Sequence, residues 1–117
     1  MNMYFSARTQ TLTQFKEVYD KRLLNETPQD GSPVIFCAMA NQTPQNRYDI
    51  VKFLIGEGAE LKGTNEESET LFHILFSRPK HIMEQTVELT LILIDEGVDI
   101  NQLDAKNRGA IQHLISQ

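Results

Sequence analysis

Few side chains in this sequence are equipped for chemistry. Cys37 is the sole cysteine. A cysteine nucleophile needs a base in contact and donors for an oxyanion. Cys37 instead stands inside Val34-Ile35-Phe36-Cys37-Ala38-Met39-Ala40, an apolar helical stretch, where a cysteine reads as a small packing residue. The histidines His73, His81 and His113 are 8 and 32 residues apart, unlike the tight i, i+3 or i+4 spacing of metal ligands on one helix. No metal site and no cofactor is expected. Glu66, Glu67 and Glu69 cluster. Neighbouring acids do acid–base work where burial or repulsion splits their pKa values. On a polar turn the plainer reading is a solvated loop, and the functional one an acidic fingertip that meets a basic partner. Gly56-Glu57-Gly58 lacks the preceding strand and the following Lys-Ser/Thr of a phosphate loop. The expectation is therefore a protein that is not an enzyme.

Composition narrows the partners. The chain has 117 residues with 16 acidic against 11 basic side chains, a net charge of −5. A nucleic-acid backbone repels that sign, so no nucleic-acid partner is expected. With 40% hydrophobic and 23% charged residues, the expectation is one folded domain over 1–117. No apolar run approaches the ~20 residues of a membrane-spanning helix, so no membrane partner is expected. Met1 to Gln10 lacks the basic and apolar regions of a signal peptide. A lone cysteine without that signal points to a reducing cytoplasm.

The elements that would position these residues repeat. Phe53-Leu54-Ile55-Gly56-Glu57-Gly58-Ala59-Glu60-Leu61-Lys62 returns as Ile92-Leu93-Ile94-Asp95-Glu96-Gly97-Val98-Asp99-Ile100-Asn101, offset by 39 residues throughout. In the same register Asn65 falls on Asp104 and Ser68 on Asn107. A fainter copy, Leu23-Leu24-Asn25, lies upstream. Each unit reads as two helices and a loop. Thr43 is suited to an N-cap with Pro44 at the first helical position. Ile50, Val51, Leu54 and Ile55 recur at helical spacing, and Gly58 is the expected stop. Thr70 opens the short apolar run 71–76, which ends before Pro79. A helix over about 83–95 follows, stopped by Gly97. Thr11-Leu12-Thr13-Gln14 fits a capping box for an N-terminal helix carrying Phe15, Val18 and Tyr19. No stretch alternates with the period of a half-buried strand.

These residues resemble an ankyrin repeat. That family's unit is a polar hairpin, a short helix opened by Thr-Pro-Leu-His, and a longer helix closing on Leu-Leu-x-x-Gly-Ala-Asp-x-Asn. The closing motif is matched by 54–62 and by 93–101, which keeps Asp99 and Asn101. Thr70-Leu71-Phe72-His73 matches the opening motif with Leu71 in place of proline, and 31–36 matches more loosely. The stretches between paired helices, 41–46 and 77–85, are longer than in the usual repeat of ~33 residues. The implied fold is all-α, a short ankyrin-repeat solenoid of helix-turn-helix pairs with polar hairpin loops. Its parts would be a capping helix region 1–27, repeats 28–64 and 65–103, and a partial repeat 104–117. The resemblance assigns structural roles to Gly58, His73, Gly97, Asp99 and Asn101.

What the resemblance implies about function is protein binding. In such folds the hairpin tips and short helices line a concave groove. That mapping places Gln29, Asp30, Ser32 and Asn41 on one finger, Glu66, Glu67, Glu69, Ser77 and Arg78 on the next, and Lys106 and Arg108 on the last. The groove would run from acidic to basic. The expectation is a non-enzymatic interaction module that binds another protein through this face, as a monomer or weak homo-oligomer. The alternatives are an immunity-type inhibitor of a bacterial toxin or enzyme, or an oligomeric structural scaffold with Leu91 in a contact.

Overall fold

A computed structural model describes residues 2–28 and 31–115. Its described residues form helices and no strand, so the all-α expectation holds. In chain order the helices are α1 (Met3–Thr9), α2 (Leu12–Val18), α3 (Val34–Met39), α4 (Pro44–Glu57), α5 (Leu71–Phe76), α6 (Met83–Asp95) and α7 (Ala110–Ile115), with a 3₁₀ turn at Lys21–Leu23.

Local chemistry sets these bounds. Asn2 caps α1 by accepting from the Phe5 N–H at 2.7 Å. Thr11 and Gln14 form the capping box of α2, each side chain accepting from the other's backbone N–H. Pro44 occupies the first turn of α4, and Thr43 holds the cap position without a side-chain cap bond. Instead the Thr43 N–H donates to Asn41 Oδ1 at 3.0 Å. Helices α4 and α6 thus start inside the long connecting stretches. Gly58 has φ 99° and Gly97 φ 89°. This left-handed region lets the next N–H turn back. Ala59 N–H donates to the Leu54 carbonyl and Val98 N–H to that of Leu93, both at 3.0 Å. The two stops are one motif used twice, 39 residues apart.

Two rows of helices result. The short helices α1, α3, α5 and α7 pack each on the next, and α2, α4 and α6 make a second row across them. All six residues of α3 are buried, as are Leu71, Phe72, Leu75 and Phe76 of α5. The core is continuous from Met3 to Ala110. The second row adds cross-helix bonds of its own. Tyr19 Oη donates to Glu57 at 3.1 Å, Tyr48 Oη to Glu88 at 2.9 Å, and Lys52 pairs with Glu88. One flank stays open: Met83, Val87, Leu91 and Ile94 of α6 are exposed, as are Ile111, Leu114 and Ile115 of α7. The radius of gyration is 13.2 Å, about that of an ordinary globular domain of this length. Among the described residues no helix is long and apolar enough to cross a membrane.

Candidate functional site

Two hairpins project from the N-terminal ends of α5 and α7. In the first, Asn65 Oδ1 accepts from the backbone N–H of Glu67 at 2.9 Å and of Glu69 at 3.0 Å. In the second, Asp104 Oδ1 accepts from Lys106 and Arg108, both at 2.9 Å. Each closes with a pair across the loop, Asn65 N–H to Glu69 O at 3.1 Å and Asp104 N–H to Arg108 O at 2.9 Å. Each needs one residue with positive φ, Ser68 at 60° and Asn107 at 61°. A short amide or carboxylate acceptor two residues before the bend makes this turn cheap. The Ala105 N–H joins the hairpins by donating to the Glu67 carbonyl at 2.9 Å. Glu66, Glu67 and Lys106 stand exposed on the tips, whereas Glu69 is half-buried and accepts from Asn65 Nδ2 at 2.9 Å.

Asp104 is the buried anchor of its hairpin. Burial pushes its carboxyl up, but the N–H groups of Arg108 and Lys106 and then the Arg108 guanidinium outweigh that and hold it at about 2. A carboxylate held below its ordinary 3.8 adds stability that is complete above that value and lost as pH falls through about 2. The amide signals of Lys106 and Arg108 are therefore expected to keep their folded positions at the ordinary carboxylate midpoint and to move only near pH 2. A midpoint at 3.8 in an NMR pH titration would show that the hairpin does not hold the charge.

His73 links the second hairpin to the helix row. It is fully buried. Its Nδ1 accepts from the Thr70 N–H at 3.0 Å, with Thr70 Oγ1 also at 3.0 Å. The ring's other nitrogen, Nε2, therefore carries the proton and donates to the Arg108 carbonyl at 2.9 Å. His73, Asp104 and His113 bring their ligand atoms within 4.8 Å of one another, a cluster that the sequence spacing does not announce. His73 Nδ1 accepts from the Thr70 N–H and Asp104 Oδ2 from Arg108 Nε at 3.1 Å, with His113 Nε2 3.7 Å from the same oxygen. His73 and Asp104 are held by hydrogen bonds, whereas His113 Nε2 is buried beside them without a hydrogen-bond partner.

At the opposite, C-terminal ends of the short helices the chain gathers arginines. Arg47 is 2% exposed. Its Nε donates to the Asn41 carbonyl at 3.0 Å, and both Nη atoms donate to the Lys80 carbonyl at 3.2 Å. Burial, and then the charge of Arg78, lower it to about 10. Arg78 Nη1 donates to the Ala40 carbonyl and Nη2 to Ser77 Oγ, both at 3.2 Å. Arg78 Nε is enclosed without an acceptor. Arg8 Nη2 lies 3.6 Å from Cys37 Sγ. The ion pairs among the described residues include none of Arg8, Arg47 and Arg78. Arg8 and Arg78 line a cavity of about 400 Å³ together with Thr9, Gln42 and Thr43.

The residues assigned to one groove line several small depressions. Glu67, Lys106 and Arg108 share a depression of about 300 Å³ at the hairpins. Asn41 and Arg78 both line the arginine cavity, and Ser32 lines another beside Tyr4 and Cys37. Ser77 donates to the Ile74 carbonyl at 2.9 Å. Asn41 is 1% exposed and spends its amide on the Ala7 and Gln10 carbonyls at 3.0 and 3.2 Å, so it anchors a loop. Gln29 and Asp30 lie outside the described residues. Asp99 Oδ1 accepts from the Asn101 N–H at 2.8 Å. Cys37 is buried, and burial pushes its thiol up against the opposing pull of Arg8. His81, in the stretch between α5 and α6, is half-buried, with its ring nitrogens 2.8 Å from Thr86 Oγ1 and 2.9 Å from the Arg78 carbonyl.

Comparison with known proteins adds the fold alone. No family model and no curated protein matches the chain. The crystal structure of a functionally unknown protein from Leptotrichia buccalis C-1013-b is similar, at 25% identity and a TM-score of 0.84. The similarity covers 98% of this chain and 63% of that one, so this chain spans just under two thirds of that protein's length.

Proposed function

We propose that the chain is a non-enzymatic protein-binding module, a short solenoid of the ankyrin-repeat kind whose hairpins and short helices form the face that receives a partner protein. The observation that carries this reading is the pair of matching hairpins. Each is locked by its own acceptor residue, and together they hold Glu66, Glu67 and Lys106 exposed on a buried row of helices. Side chains on a rigid platform lose little entropy on docking, so a modest contact area yields useful affinity. Inhibition of a basic toxin or enzyme is one form this binding takes, with Glu66 and Glu67 meeting the positive target.

The test reverses charge where nothing structural depends on it. Both Glu66 and Glu67 are exposed. The variant Glu66→Lys/Glu67→Lys is expected to keep the wild-type circular dichroism and thermal midpoint. It is also expected to lose at least about ten-fold in affinity for a partner that the wild type captures, with the difference shrinking in high salt. Equal affinity for the same partner would remove the hairpin tips from the interface.

A further inference from the structure

We propose that the cavity between Arg8 and Arg78 is a carboxylate-binding subsite that seats an acidic side chain of the partner protein; it rests on the protein-binding reading and names a chemical feature of that partner. The first support is charge. The chain carries a net −5, yet the residues lining this cavity include two guanidiniums and no carboxylate. Arg47 stands behind them, near enough for the charge of Arg78 to act on it. Arg47 and Arg78 also bond backbone carbonyls, and the charge of Glu69 reaches Arg78 from outside the lining, but Arg8, Arg78 and Arg47 still repel one another. An arriving anion relieves that repulsion.

The second support is unspent hydrogen-bonding capacity. A guanidinium has five N–H donors. Arg78 uses its Nη atoms on Ala40 and Ser77 while Nε is enclosed without an acceptor. The bond from Arg8 goes to Cys37 sulfur at 3.6 Å, a weak acceptor. Both arginines line this cavity, and a planar guanidinium suits the oxygens of a carboxylate better than any other cationic side chain. The third support is shape. A hollow of about 400 Å³ accepts a side chain but is too small for a large cofactor. It also opens to solvent, where a free small anion keeps its hydration shell. An acid carried on a polypeptide brings further contacts with it.

The experiment titrates the isotope-labelled chain with an acetylated tetraglutamate amide and, separately, with inorganic phosphate, following the Nε–Hε NMR signals of Arg8 and Arg78. The expected result is a saturable shift of both signals by the peptide, with affinity on the order of millimolar. Arg8→Gln, at an exposed position, should bind about five-fold more weakly, and Arg78→Lys, which keeps charge but loses the fork, should weaken binding as well. A non-saturating shift, or equal binding by Arg8→Gln, overturns the proposal. Tighter binding of phosphate than of peptide also overturns it and assigns the cavity to a free anion. If the peptide fails while Glu66→Lys/Glu67→Lys still abolishes partner capture, the subsite falls and the protein-binding reading stands. If the peptide binds and no partner is captured by either protein, the carboxylate chemistry is supported and the protein-binding reading falls.

Discussion

Replacing Arg47 with alanine is expected to cost about 3–4 kcal/mol, more than half the stability of a domain near the low end of the usual ~5–15 kcal/mol. The guanidinium bridges the Asn41 carbonyl, after α3, to the Lys80 carbonyl, before α6. Bonds from a charged donor contribute about 1.5–3 kcal/mol each, and the buried stem adds packing that alanine does not replace. Working against this is the cost of burying the charge, visible in the lowering of Arg47 to about 10 by burial first and Arg78 second. That cost is already present in the folded wild type, so its relief offsets part of the loss. Arg47→Met separates the two effects, because it keeps the stem volume and discards both bonds and charge. It is expected to lose about 1–2 kcal/mol, between wild type and alanine. Urea unfolding followed by circular dichroism measures all three proteins. A methionine variant as stable as wild type would mean that desolvation outweighs the bridge.

Arg47 also shows where sequence reading stops. Residues 47, 50, 51 and 54 are the buried residues of α4, and their spacing was visible as a helical stripe starting from Ile50. A charged residue in register with that stripe was the available signal. Arginine ordinarily faces water, so the residue type hides what the register shows. Helix α1 is hidden for a related reason: of its buried residues Met3, Ser6 and Ala7, only Met3 is a large apolar side chain, so no hydrophobic stripe marks the helix. The other helices were legible because caps, apolar period and glycine stops coincide, as at Thr70, Leu71–Phe76 and Gly97. The arginine cavity was not legible, since Arg8, Arg47 and Arg78 meet only after three helix pairs have stacked. Local pattern reports what a residue does within its own turn. Contacts between residues 31 to 35 positions apart, such as Asn41 with Ala7 and Gln10, or His73 with Arg108, arise from stacking.

The stacking is bonded at both ends of the short helices, with Arg47 and Arg78 on one side and His73 on the other, so the same test transfers to the hairpin side. Substituting His73 with leucine is expected to cost about 3 kcal/mol, because it orphans the Thr70 N–H and removes the donor to the Arg108 carbonyl. A lost cap is worth about 1 kcal/mol, and a buried group left without a partner adds about 1–3. The repeat itself supplies the control. At the position 39 residues on, Gln112 Oε1 accepts from the Gly109 N–H at 3.2 Å, the same cap bond that His73 makes to Thr70. His73→Gln should therefore keep the cap, lose the reach to Arg108, and cost only about 1 kcal/mol. Hydrogen exchange at Thr70 should remain slow in the glutamine variant and become fast in the leucine variant, while urea midpoints order the proteins as wild type, glutamine, leucine. Equal loss from both substitutions would show that ring packing, and not the bond to Thr70, fixes the start of α5.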